Sequence, residues 1–128
     1  MPGLKSVMAD NGATYSNGFA ATPICCPSRS SFQTGRYIHS VGVTNNTIVG
    51  GCSGVAWEAG PEKHNVAAYV QAAGYKTGYF GKYLNTYGFP GAGGVQHIPP
   101  GWDDWQTLVG YVRSLSNCWG ASHGRTGA

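Results

Sequence analysis

Charge is scarce in this chain. Of its 128 residues, 8 are Lys or Arg and 5 are Asp or Glu, so charged side chains make up 10% and the formal net charge is +3. An average soluble domain carries roughly 25%. No basic cluster and no basic–aromatic stripe is present, which argues against a nucleic-acid partner. Long apolar runs are missing too: none nears the ~20 residues of a membrane span, and residues 1–20 lack the basic start and apolar segment of an export signal. Cysteine is limited to 4 positions, 25, 26, 52 and 118. None forms the Cys-x-x-Cys pairs of a zinc site, and adjacent cysteines seldom bridge each other. What the chain has instead is glycine, 21 residues of it, so many turns are expected, and with so little charge few solvated faces. The length suits one modest domain.

One stretch has spacing that suggests chemistry: Cys25-Cys26-Pro27-Ser28-Arg29-Ser30-Ser31-Phe32-Gln33-Thr34-Gly35-Arg36. Pro27 is pre-set for the first turn of a helix and Gly35 is a natural left-handed stop. Cys25 then sits at the mouth of that helix. Arg29, four residues on, shares its face and leans toward the N-terminal end, where free backbone N–H groups favour an anion. The plainer reading treats both cysteines as buried small apolar groups or disulfide partners and Arg29 as a solvated charge.

The run Cys-x-Pro-Ser-Arg followed by Thr34-Gly35-Arg36 resembles the signature of the type I sulfatases. In that family the first cysteine, here Cys25 and not Cys26, is oxidised by a formylglycine-generating enzyme to formylglycine. The resemblance implies a hydrated aldehyde: one hydroxyl attacks the sulfur of a sulfate ester, and the second loses its proton to expel sulfate and restore the aldehyde. A plain thiol has no such exit. The family activates this nucleophile with a divalent metal, expected to be calcium and bound by Cys25 as formylglycine, and holds the sulfate with cations, of which Arg29 is one. Gln33 departs from the family's usual Leu or Met, at a position expected to pack under the helix.

Around this stretch the sequence reads as α/β. Residues 2–11 predict a short helix with Leu4, Val7 and Met8 on one face and Gly12 ending it, and Thr14 to Ala20 predict a strand leading through Ala21–Ile24 into the Cys25 helix. That order places a reactive residue at a strand's carboxyl edge, where such sheets bind ligands. His39 has two readings, a contact to substrate or a hydrogen-bonded, partly buried residue between apolar neighbours. Asn45-Asn46-Thr47 is a glycosylation sequon on Asn45, Cys52 is available for a disulfide, and Trp57 reads as a packing anchor. Pro61 to Ala73 predicts a helix with Val66, Tyr69, Val70 and Ala73 along its face and Gly74 closing it.

A strand predicted over Tyr75 to Phe80 leads into Gly81-Lys82-Tyr83-Leu84-Asn85. Lys82 is thereby expected at the same sheet edge as Cys25. The Gly-Lys pair resembles the sulfatase pattern in which this lysine binds the sulfate and assists the leaving group. Many sulfatases continue with an aromatic residue and a histidine; here Leu84 stands in the histidine's place and Asn85 is the candidate to take part of its role. Gly-Lys-Tyr-Leu-Asn, with Thr44-Asn45-Asn46-Thr47 and Pro99-Pro100-Gly101-Trp102, is similar to the branch of glucosamine-6-sulfatases, extracellular heparan sulfatases and some arylsulfatases, which implies a sulfated small molecule or glycosaminoglycan as substrate. Gly88 to Gly101 reads as a pocket-rim loop. Asp103-Asp104 reads as a helix or loop start, since the family's acidic metal pair precedes the cysteine signature.

The likeness runs over residues 1–110 and implies a partial alkaline-phosphatase-like sulfatase domain, a mixed sheet flanked by helices; residues 111–128 form an unplaced tail, in which His123-Gly124 is too short to count as the family's later motif. The family's paired aspartates are expected upstream of this chain and its Asp-Asn ligands downstream. Cys25 and Asn85 alone supply too few hard oxygens for calcium, so the isolated chain is expected to fold poorly and be inactive. The alternatives are a catalytically empty fragment and, because tetrahedral anions share one geometry, a phosphate or phosphonate monoester hydrolase. By family, the compartment is secretory, lysosomal or extracellular.

Overall fold

The computed structural model describes residues 2–109 and 122–125. An α-helical turn, α1 (Pro2–Leu4), runs on as a π-helical turn over Lys5–Ala9. It is fastened on the outside, by the exposed Lys5–Asp10 ion pair and by Asn11 Nδ2 donating to the Ser6 carbonyl. The strand expected over Thr14 to Ala20 does not form; these residues are turn or irregular and exposed, with Phe19 at 92%. Strand propensity is realised only through a partner, and the described sheet offers that segment none.

The helix at the cysteine run is present as expected: α2 spans Cys25–Thr34 and ends on Gly35, whose φ of 67° lies in the left-handed region. Ser28 N–H donates to the Ile24 carbonyl (2.8 Å) to open it and Gly35 N–H to the Ser31 carbonyl (2.8 Å) to close it. A single turn, α3 (Ile38–Val41), follows and packs back on α2.

The helix predicted over Pro61 to Ala73 is broken. After α4 (Val55–Ala59), Pro61–His64 makes a 3-10 turn, and α5 covers Val66–Ala72. Asn65 causes the break. Its backbone is extended, its Oδ1 caps α5 by accepting from Ala68 N–H (3.0 Å), and its Nδ2 donates to the carbonyls of Glu62 and Pro100, both at 2.8 Å. The short polar side chain competes with the helix for local backbone groups. The apolar face read from the periodicity is exposed, Tyr69 at 60%, and Ala67 is the residue α5 buries. Gly74 closes α5 as expected, with a φ of 88°. Gly101 lies so close to α5 that a Cβ there would meet Ala68 N at 2.3 Å, at a φ of 91°.

The sheet is mixed and three-stranded, in the order β1 (Gly78–Lys82), β2 (Asp104–Leu108), β3 (Ser122–Arg125). β1 and β2 are parallel, with Gly78 opposite Asp104 and Lys82 opposite Leu108; β2 and β3 are antiparallel. β3 comes from the tail that the sequence left without a pattern. β1 starts later than expected because Thr77 is held by Asp103: Thr77 N–H donates to Asp103 Oδ2 (2.9 Å), and Asp103 N–H donates to Thr77 Oγ1 (3.0 Å) and to the Thr77 carbonyl (3.1 Å). Asp103 and Asp104 therefore open a strand, not a helix.

Cys26, Val41, Val43, Cys52, Trp57, Tyr83, Leu84, Tyr87 and Trp105 form the core. Tyr83, Tyr87 and Trp105 meet edge-to-face with centroids 5.0–5.7 Å apart, geometry that suits ring quadrupoles. Trp57 is the packing anchor read from the sequence, with its Nε1 donating to Glu62 Oε1 (2.9 Å). Tyr83 donates to the same oxygen (2.9 Å), and His97 Nε2 stands 2.6 Å from Glu62 Oε2. This buried carboxylate ties the Gly88–Gly101 loop to the 3-10 turn. The hydrogen bond to Glu62 raises the His97 pKa above 6.5, against the opposing effect of burial, and the charges of Glu62 and Glu58 add to it. A raised folded-state value contributes stability that is complete below the unfolded value and is lost as pH rises through the folded one. The melting temperature is expected to fall between pH 6 and pH 9, and His97→Gln to flatten that part of the profile; equal slopes for both proteins would contradict the linkage.

Candidate active site

Local sequence explains how Cys25 is presented. The residue preceding it, Ile24, occupies the N-cap position and has no side-chain acceptor to offer. Asn46, from the loop after α3, supplies one: its Oδ1 accepts from Cys26 N–H at 2.8 Å. Pro27 has no N–H to satisfy. Cys26 is fully buried and disulfide-bonded to Cys52, with Cα atoms 5.8 Å apart, and its Sγ accepts from Asn85 N–H (3.3 Å). Cys25, one step around the helix, is exposed and carries a free thiol.

Beside Cys25 lies a cleft of about 440 Å³ lined by Pro23, Ile24, Cys25, Ser28, Arg29, Phe32, Gln33 and Tyr79. Arg29 is half-buried, and its Nη1 donates to the Lys82 carbonyl at 2.9 Å. The Tyr79 hydroxyl donates to the same carbonyl at 2.7 Å. Burial holds the Tyr79 phenol above its ordinary 10.0 while the Arg29 charge pulls it down, so the hydroxyl keeps its proton for that bond. Arg29 Nε is buried with no partner among the described residues. Gln33 packs under the helix as expected, 3% exposed, and its Oε1 also lacks a partner.

The structure thus joins Cys25, Arg29 and the end of β1, where Lys82 is the last residue of the strand. His39 stands apart: it is exposed on α3, stacked on Tyr37 with centroids 5.8 Å apart, and is not among the residues lining the cleft. Asn85 is buried, 6% exposed, with its Oδ1 unpartnered among the described residues; Leu84 belongs to the core. The Gly88–Gly101 loop, expected at a pocket rim, contributes no lining residue and packs on the 3-10 turn through His97 and Pro100.

Among the described residues no group of three or more His, Cys, Asp or Glu stands close enough together to hold a metal ion. Cys25 and Asn85 do not make a calcium site, which takes six to eight oxygens. No helix among the described residues is long and apolar enough to cross a membrane. Tyr79 and Asn46 escaped the sequence reading. Tyr79 looks like any strand aromatic, and the signal at Asn46 is its place one residue from the sequon asparagine.

The cleft thus brings together an exposed thiol at a helix mouth and a guanidinium one turn below it; Lys82 meets Arg29 through its main-chain carbonyl, and its side chain is not among the lining residues. Comparison with known proteins makes this specific. The sulfatase family profile matches residues 1–117, and the chain belongs to the sulfatase family. It is 44% identical over 110 residues to a putative extracellular sulfatase Sulf-1 homolog of Caenorhabditis elegans, covering 85% of this chain and 14% of that protein. Human N-acetylglucosamine-6-sulfatase is 42% identical over 105 residues, 81% of this chain and 19% of its own length. A Volvox carteri arylsulfatase is 35% identical over 110 residues, 84% of this chain and 16% of its own. The chain therefore spans less than a fifth of these relatives. No solved structure matches it.

Arg29 and Tyr79 share one acceptor, so their contributions to stability are coupled. Arg29→Ala is expected to cost about 1.5–3 kcal/mol in urea unfolding. In a double-mutant cycle with Tyr79→Phe the two losses are expected to be non-additive by at least ~0.5 kcal/mol; strict additivity would show that the two donors act independently.

Proposed function

We propose that this chain is the nucleophile-bearing part of a sulfuric ester hydrolase acting on sulfated sugars or glycosaminoglycans. The observation that carries the reading is the exposed Cys25 thiol sharing one cleft with Arg29 at the mouth of α2. Formylglycine, formed from Cys25 by a formylglycine-generating enzyme, would supply a hydroxyl nucleophile that can later release sulfate. Arg29 orients the ester through its guanidinium, fixed in direction by the Lys82 carbonyl. Lys82 places a second cation at the strand end to bind sulfate oxygens and favour departure of the alcohol. Buried Leu84 offers no proton, and Asn85 reaches the site through its backbone N–H on Cys26.

The described residues do not complete a metal site, so the divalent ion expected for the family draws its carboxylates from elsewhere in an alkaline-phosphatase-like whole. The relatives' names support the substrate class: one is an N-acetylglucosamine-6-sulfatase and two are described as extracellular sulfatases, which also favours a secretory or extracellular setting. Paired cysteines in a disulfide fit an oxidising compartment.

Mass spectrometry of the Cys25 peptide from the native host is expected to show the aldehyde in place of the thiol. In the full-length native protein, Cys25→Ala is expected to abolish hydrolysis of an aryl sulfate, and Lys82→Ala to lower kcat/KM by about 10²–10³-fold. An unmodified thiol in the native protein would favour a catalytically empty fragment; preference for phosphate or phosphonate monoesters would redirect the reading to those esters.

A further inference from the structure

We infer that Asn46 is a positioning residue for the reaction at Cys25, acting through the backbone of Cys26; the inference rests on the sulfatase reading of the site. A helix whose N-cap is Ile starts poorly, because branched apolar side chains cannot accept from the first N–H groups. α2 has that defect at Ile24 and corrects it from a distance of 22 positions, with Asn46 Oδ1 on Cys26 N–H.

The capping loop is itself firmly built. Asn45 Oδ1 accepts from Thr47 N–H (2.8 Å) and Thr47 Oγ1 (2.6 Å), Thr47 Oγ1 accepts from Gly50 N–H (3.1 Å), and Thr44 N–H donates to the Gly50 carbonyl (2.8 Å). Cys52 N–H then donates to the Thr47 carbonyl (3.0 Å), and Cys52 carries the disulfide back to Cys26. The same loop grips Cys26 at its amide and at its sulfur. The disulfide fixes where the helix lies, and Asn46 fixes how its first turn is wound, which sets the direction of the neighbouring Cys25 side chain. Displacing a reacting atom by about 1 Å can cost 10²-fold in rate.

The test uses the full-length native protein produced with a formylglycine-generating enzyme, with conversion of Cys25 verified by mass for each variant. Asn46→Ala and Asn46→Asp both keep the N-x-Thr pattern at Asn45, and the glycosylation state of each variant is checked in the same mass spectrum. Asn46→Ala is expected to lower kcat about tenfold with KM nearly unchanged. Asn46→Asp keeps the acceptor and is expected to restore kcat to within about twofold. A kcat unchanged in Asn46→Ala, or a loss that Asn46→Asp fails to restore, overturns the inference. Amide exchange at Cys26 reports the cap without reference to activity: it is expected to accelerate in Asn46→Ala and to recover in Asn46→Asp. A fully converted parent protein with no sulfate-ester activity would sink the functional reading, whereas an unaltered Cys26 exchange rate would sink the cap.

Discussion

Cys26 is attached to the rest of the molecule twice, through its sulfur to Cys52 and through its amide to Asn46, and the arrangement of the site depends on that double hold. A disulfide closing 26 residues of separation removes roughly 3–4 kcal/mol of freedom from the unfolded chain in the loop-entropy view, and an N-cap bond adds about 1 kcal/mol. Neither contact touches a substrate. Together they give the neighbouring residue, Cys25, a fixed backbone while leaving its side chain in solvent. Asn85 N–H on the Cys26 sulfur extends the hold to the segment following β1, so helix and strand are registered at one buried residue.

The second tie between helix and sheet is polar. Arg29 and Tyr79 both donate to the carbonyl of Lys82, so the last residue of β1 is gripped by its main chain. A guanidinium that spends one N–H on the backbone has the direction of its other N–H groups set by that bond. On the far side of the core, Glu62 gathers Trp57, Tyr83 and His97. That network satisfies a buried carboxylate and fastens a glycine-rich loop; it serves the scaffold, and the cleft beside Cys25 does not include it.

The legible parts of this protein were those governed by short-range rules. Pro27 sits in the first turn of α2 and Gly35 ends it as their φ preferences dictate, Gly74 stops α5, and Lys82 ends a strand. What could not be read depended on partners distant in sequence. Asn65 breaks a helix because Glu62, Ala68 and Pro100 all use its amide, and Pro100 lies 35 residues away. Thr77 delays β1 because Asp103 binds it. Thr14 to Ala20 has strand-like residues and, among the described residues, no strand to join. At the cleft, spacing and family likeness singled out Cys25 and Arg29, which share it, and Lys82, which reaches Arg29 only through its carbonyl; the pairing of Cys52 with Cys26, and the distant cap on an apolar N-terminus, follow only from the path of the chain.

Two adjacent cysteines on a helix point about 100° apart, and this has a chemical consequence for α2. Cys26, Ser30 and Gln33 occupy the buried side of the helix, so the side that packs inward decides which sulfur meets Cys52. Bridging Cys25 instead would roll the helix by that angle, lift Ser30 and Gln33 out of their packing and hide the thiol that the cleft presents. The protein thus distinguishes two chemically identical groups by helical phase alone. Its packing commits one sulfur to the disulfide and leaves the other a free, exposed thiol.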